Sequence, residues 1–321
     1  MSDDAEATTD AKIAEAPPSY SGTADEAEKL IRSASPMRML LRFGGLLVVL
    51  GLAAGGAYLG YRSYCLDRAR NAPMVKFASG LAHIGNDLFD TEAPAHDVSL
   101  AAFALDTTEV TVRDFATCFE RGGCTEPIKG DYCNWGRDED VAKHPINCVT
   151  HDQAIDYCKW VDKRLPTEKE WERAARNPSS EKTPKKLGAY QGNYPWGIEA
   201  PTPKLTNVCG KECSVFGAKK SQNWPMMHEF DDGYALTAPV GSFPDGNTPD
   251  GLKDMAGNVW EWTSSPYCEY PTEECGNHTE YVIRGGGFLS YHPRNMEVTT
   301  REALAGKEGT HTVGFRCARS L

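Results

Sequence analysis

The 321-residue chain has no excess of positive charge: Lys and Arg number 34 against 45 Asp and Glu, for a net charge of −11. No basic stripe is present to neutralise a phosphate backbone, which excludes nucleic acid as a partner. The sequence also lacks a pair of CxxC motifs spaced as in a zinc site, so metal binding in a reducing compartment does not account for its 11 cysteines. They point instead to disulfides and an oxidising compartment, and their odd number leaves at least one thiol unpaired. Residues 1–38 have almost no bulky apolar side chains and eight acids against four bases. Such a segment cannot bury enough surface to offset its ordering entropy, and it is expected to be a disordered acidic tail. Internal repeats are absent. What is abundant is loop-forming residue, with 30 glycines and 20 prolines.

Residues 43–61, FGGLLVVLGLAAGGAYLGY, carry no charge. At ~1.5 Å per residue they reach ~28 Å, the thickness of a bilayer core, and are read as a transmembrane helix. The preceding segment is too long for the n-region of a signal peptide. Basic residues on the two flanks differ by one, which leaves the positive-inside rule nearly silent. Orientation follows from the cysteines: all but Cys65 lie beyond residue 117, so the N-terminus is expected in the cytoplasm and the C-terminal part in the periplasm or outside the cell. Gly51/Gly55 and Gly56/Gly60 are spaced as in closely packed helix pairs, and Cys65 could link two copies, so a homodimer is one expected partner. The membrane is another, through this one helix.

Residues 62–75 read as a short basic linker and residues 76–321 as the globular part. MVKFASGLAHIGN and HDVSLAAFALDTTEVT alternate like strands, whereas VTVRDFATCFE and HDQAIDYCKWVDK carry apolar residues at helical spacing. PTEKEWERAAR opens a third helix, with Pro166 at its start and a capping-box spacing from Thr167 to Glu170. Beyond Asn177 the chain reads as loops with short strands. The class is α+β with little regular secondary structure. In GNVWEWT, alternation puts Trp260 and Trp262 on one face of a strand and Glu261 on the other.

The blocks HPINCVTHDQAIDYCKWVDKRLPTEKEWERAAR, YPWG, GLKDMAGNVWEWTSSPY, VIRGGGF and VGFRCAR occur in an order that resembles the formylglycine-generating enzyme family, also called sulfatase-modifying factor domains. The resemblance covers nearly all of residues 76–321 and implies a C-type-lectin-like fold, with helices on a small twisted sheet and loops held by disulfides and calcium. It implies two calcium sites. Asp254, Glu261 and the carbonyls of Gly257 and Val259 would form one; Asn207, Asp232 and the carbonyls of Val208 and Tyr234 would form the other. Oxygen donors on flexible loops are what calcium takes. Composition alone leaves Asp232 and Asp254 equally open to a reading as turn residues.

The resemblance also implies a Cys158–Cys317 bridge. The other expected pairs, Cys118–Cys124, Cys133–Cys148, Cys209–Cys213 and Cys268–Cys275, join neighbours in sequence, and spacing does not fix such connectivity. Cys65 is left over.

The family's oxidation chemistry uses two cysteine thiolates that hold copper and activate oxygen. Here residues 276–316 contain no cysteine, and Ser290 stands at the first position. Hydroxyls do not replace soft thiolates on Cu(I), so no copper is expected. Ser290 and His292 form a Ser-x-His pair with no oxyanion or third-residue signature, which does not define a nucleophile. The groove that the resemblance implies, around Trp260, Phe288, Ser290, Tyr291, His292 and Arg301, keeps aromatic and polar groups suited to a peptide or glycan. The leading expectation is a non-catalytic binding domain, anchored in a bacterial cell envelope. Alternatives are a metal-dependent oxidoreductase of the same family using non-cysteine ligands, and a purely structural envelope protein.

Overall fold

The computed structural model describes residues 36–137, 139–176, 193–272 and 279–321. Most of the expected acidic tail therefore lies outside the described residues, as does Cys275 of the expected Cys268–Cys275 bridge. The chain divides into two units, Met1–Tyr61 and Arg62–Leu321. In the first, helix α1 (Pro36–Arg70) begins. Its side chains over 43–61 are exposed, and by length and composition it can cross a membrane.

The second unit begins with the last turns of α1, which replace the expected linker. RSYCLDRAR contains no residue that stops a helix before Pro73. Cys65 and Ala69, four apart and hence on one face, are buried at 8% and 2% exposure. Ala69 joins a core with Phe115, Ile146, Tyr157, Trp262 and Phe315. Arg68 pairs with Asp114, and Arg70 with Asp162 at 3.3 Å. The thiol of Cys65 is free but packed inside.

Strands β1 (Met74–Phe77) and β4 (Phe103–Asp106) pair antiparallel, and β4 also pairs with β9 (Ala318–Ser320). Between them β2 (Gly80–Ile84) and β3 (His96–Leu100) form a two-stranded sheet. A four-stranded sheet runs in the order β7 (Arg301–Ala305), β6 (Glu280–Arg284), β5 (Trp260–Pro266), β8 (Val313–Gly314), with β5 and β8 parallel. Trp262 of β5 is fully buried and its indole N–H donates to the Val149 carbonyl at 3.0 Å.

Threonine caps start the helices. Thr111 caps α2 (Val112–Glu120), Thr150 caps α3 (His151–Trp160), and Thr167 caps α4 (Glu168–Ala175). At α4 the expected capping box is present: Thr167 Oγ1 accepts from the Glu170 amide at 3.1 Å, and Glu170 accepts from the Thr167 amide at 2.9 Å. One further helix, α5 (Lys211–Lys219), occupies the region expected to be loop. It carries no start signal, since its N-cap is Gly210 with no side-chain cap bond. Packing from the loop that follows it and a bridge hold it instead: a Cβ at Gly217 would meet the Trp224 ring at 2.9 Å, and Cys209 is bridged to Cys213. Cys118–Cys124, Cys133–Cys148 and Cys158–Cys317 are also joined.

Helix α4 drives charge into the interior. Glu168 accepts from Arg284 and Arg301 at 2.7 and 2.6 Å, and Glu172 accepts from Arg284 and Arg176 at 2.7 Å each. Arg284 is fully buried and also donates to the Val298 and Thr300 carbonyls. Removing one partner of such a group leaves charge buried without compensation, at a cost of about 3–5 kcal/mol. Arg284→Met is expected to lose that much stability in urea unfolding of the purified chain. A loss below ~1 kcal/mol would show that the network is dispensable.

Candidate binding groove and cation-binding turns

Three consecutive glycines let the chain leave β6 sharply. Gly285 and Gly286 have φ of 94° and 72°, and a Cβ at Gly286 would meet Met296 Cε at 2.0 Å. The turn delivers Phe288 into the core at 1% exposure, its amide donating to the Asn258 carbonyl at 2.8 Å. Ser290 is 7% exposed. Its Oγ accepts from the Gly287 amide at 3.1 Å, and its carbonyl accepts from the Cys209 amide at 3.1 Å. The hydroxyl is thus a turn-former, and among the described residues no base is bonded to it. His292 is exposed and caps the turn Pro293–Met296, its Nδ1 accepting from the Arg294 amide at 3.2 Å. Tyr291 is 56% exposed and Trp260 half-buried beside Gly287.

Five of the six expected groove residues therefore gather around this turn. Arg301 does not. The β6–β7 register sets it opposite Arg284, so its guanidinium faces the same α4 carboxylate, Glu168 Oε1 and Oε2, at 2.6 and 2.8 Å. It stacks over Tyr270 at 4.1 Å and lines a separate cavity of about 550 Å³ with Ser264, Ser265 and Thr167. In its stead the structure adds rings from helix α5 and from separate loops. His311 lies 6.1 Å from Phe288 and 5.4 Å from Tyr132, which packs on Trp224 at 5.0 Å and Phe216 at 6.2 Å. These residues lie on no shared helical or strand period, and no local pattern links them.

At the first expected calcium turn, Asn207 is 1% exposed and donates to the Leu236 carbonyl at 2.9 Å, while its Oδ1 has no hydrogen-bond partner. Asp232 accepts from the Val208 and Tyr234 amides at 3.2 and 2.9 Å, which ties the four expected residues into one loop pair. Burial, and then the neighbouring Glu212, pushes its carboxyl up to about 7. A buried amide oxygen without a donor beside a carboxylate with too little compensating charge fits an oxygen-seeking cation.

The second turn fits less well. Gly257 has φ of 84° with the Asn207 carbonyl 2.4 Å from where a Cβ would stand, and Val259 is fully buried behind it. Asp254 is 8% exposed and raised by burial. Glu261, however, accepts two bonds from Arg316 at 2.6 and 2.7 Å and one from the Trp171 indole at 2.8 Å. Both of its oxygens are committed to an internal cation. Among the described residues no group of three or more His, Cys, Asp and Glu is arranged to hold a metal.

The domain is similar to known proteins over most of its length. The sulfatase-modifying factor enzyme 1-like domain matches residues 65–321. Formylglycine-generating enzyme of Thermomonospora curvata is 34% identical over 321 residues, covering 80% of this chain and 98% of that protein. Inactive C-alpha-formylglycine-generating enzyme 2 of Bos taurus is 28% identical, covering 85% and 94%. Among solved structures, PvdO from Pseudomonas aeruginosa shares the fold with a TM-score of 0.56 at 24% identity, over 77% of this chain and 94% of that one.

One group just after the groove turn is expected to set a pH dependence. Glu297 is 3% exposed with Oε1 unpartnered, and burial, followed by the charge of Glu92, pushes its carboxyl up to about 8. The native state therefore keeps a proton that the unfolded chain releases, so this stability is full below about pH 4.5 and lost as pH rises to about 8. Glu297→Gln is expected to flatten that slope and raise the melting temperature at alkaline pH by about 2–4 °C. An unchanged profile from pH 4 to 9 would rule out a buried Glu297 as its source.

Proposed function

Because the chain belongs to the sulfatase-modifying factor enzyme 1-like family yet has no cysteine from 276 to 316, we propose that its domain binds a peptide or glycan and does not oxidise one. The observation that carries this reading is Ser290. It stands where the family resemblance expects a thiolate, and its hydroxyl is spent on the Gly287 amide. Around it remain groups suited to recognition: the exposed Tyr291 and His292, the half-buried Trp260, and the His311–Tyr132–Trp224 rings behind them. Aromatic faces with polar edges bind extended peptides and sugar rings by contact area and hydrogen bonds, and need no redox metal. The inactive relative in cattle is a precedent for loss of activity on this scaffold.

In this proposal α1 anchors the protein in a bacterial membrane with its N-terminus in the cytoplasm. The domain then stands in the periplasm or outside the cell, which suits its four described disulfides. Calcium is proposed to hold the 207–234 turn through Asn207 and Asp232, tightening the loop that leads to α5.

The test compares binding and turnover on the full chain in detergent micelles. Against immobilised envelope peptides and peptidoglycan fragments, the double variant Trp260→Ala/Tyr291→Ala is expected to lose binding at least tenfold. With copper or iron and a cysteine-containing peptide, oxygen uptake should not rise above background. Metal-dependent uptake that disappears in His292→Ala would overturn the proposal in favour of an oxidase with non-cysteine ligands.

A further inference from the structure

Behind the groove turn, three half-buried rings come from three separate parts of the chain: Tyr132, Trp224 and His311. Ring centroids stand 5.0 Å apart from Trp224 to Tyr132 and 5.4 Å from Tyr132 to His311, and Phe288 continues the row 6.1 Å further on. Asn147 pins two of them from below. It is fully buried, gives one side-chain N–H to the Tyr132 carbonyl at 3.0 Å and the other to the His311 carbonyl at 2.6 Å, and accepts from the Asn134 amide at 2.6 Å. The Cys133–Cys148 bridge ties the chain covalently beside both Tyr132 and Asn147. Trp224 is seated on Gly217 of α5, where a Cβ would meet its ring. Tyr132 has a φ of 68°, a left-handed conformation that a bulky residue keeps only when its surroundings impose it, and residues so held gather at ligand sites.

The polar edges of this row are free. Trp135, Trp171, Trp196 and Trp262 each spend the indole N–H on an acceptor of the domain. Those of Trp224 and Trp260 have no acceptor among the described residues, and neither do the ring nitrogens of His311; Trp160, beside Gly123, is the remaining exception. No arginine stacks on the row among the described residues, whereas Tyr267 and Tyr270 near α4 both carry Arg301. The backbone, in contrast, is committed. The carbonyls of Ser290, His311 and Thr312 accept from the Cys209 amide, Asn147 and the Trp260 amide at 3.1, 2.6 and 2.8 Å. An extended peptide that adds to a sheet edge is held by main-chain bonds, and here those acceptors are taken. A sugar ring needs no such ladder, because its C–H face lies on an aromatic face while its hydroxyls reach the N–H and O–H edges of the same side chains.

We infer that the ligand of this groove is a glycan, and that Tyr132, Trp224 and His311 form a subsite for consecutive sugar rings of it. This rests on the reading that the domain binds through the groove, and it decides between the two ligand classes left open there.

Isothermal titration of the full chain in micelles with two probes tests it: peptidoglycan strands stripped of peptide by an amidase, and the stem peptides so released. The wild type is expected to bind the strands and not the peptides, and Trp224→Ala to bind the strands about tenfold less tightly. Tyr132→Gly separates recognition from folding, because glycine takes a φ of 68° without strain. It is expected to keep the melting temperature of the wild type and to lose affinity to the same extent as Trp224→Ala. Unchanged strand binding in both variants would overturn the inference and leave a binding groove intact, as would a wild type that takes the stem peptides and not the strands. A wild type that binds neither probe would overturn the inference together with the reading it rests on.

Discussion

Charge that cannot reach water has to be cancelled where it lies, and in this domain α4 is where most of the cancelling is done. Glu168, Trp171 and Glu172 all point inward from that helix. Glu168 and Glu172 hold Arg284 and Arg301, and Trp171 reaches Glu261, whose carboxylate holds Arg316. Those three arginines come from β6, from β7 and from the stretch before β9. One helix therefore fixes the relative positions of both larger sheets with directional bonds, where a loop-rich domain has too little apolar area to do it by packing alone. The remaining loops inherit their places from this frame, including the glycine turn that presents Ser290 and Tyr291.

Much of this was legible in the sequence wherever a local rule applied. The Thr167–Glu170 cap, strands within 74–86 and 96–111, and the helices within 110–120 and 151–163 follow from spacing alone, and the structure has each of them. Local rules did not identify partners. Nothing in the five residues around Arg301 shows that β7 pairs with β6 in a register that turns its side chain to Glu168 and away from the groove. Nothing around Glu261 shows an arginine 55 residues later. Helix α5 lay in a region read as loop because it has no capping side chain at Gly210 and a glycine inside it, although the Cys209–Cys213 bridge at its start was expected.

The segment after the glycine turn has no cysteine where the family resemblance expects two, while the fold around it is kept. Formation of the turn needs glycine at 285 and 286 and a hydrogen-bonding side chain at 290, and serine meets that need as well as a thiol would. A scaffold whose active residues sit on a turn can therefore lose its redox groups and keep its shape. Separation of these two requirements explains how a chain can remain 34% identical to a formylglycine-generating enzyme with no cysteine between residues 276 and 316.

Each buried ion pair joining α4 or β5 to a later segment has its acid first and its arginine later: Glu168 and Arg284 are 116 residues apart, Glu168 and Arg301 133, and Glu261 and Arg316 55. The bridge from Cys158 to Cys317 spans 159. During vectorial synthesis Glu172 meets Arg176 four residues later, but the Glu168 carboxylate emerges well before the two arginines that neutralise it. Without them it favours water over the interior. Closure of this interior waits for residues 301–317, so the fold is completed only when the last stretch of the domain has been made.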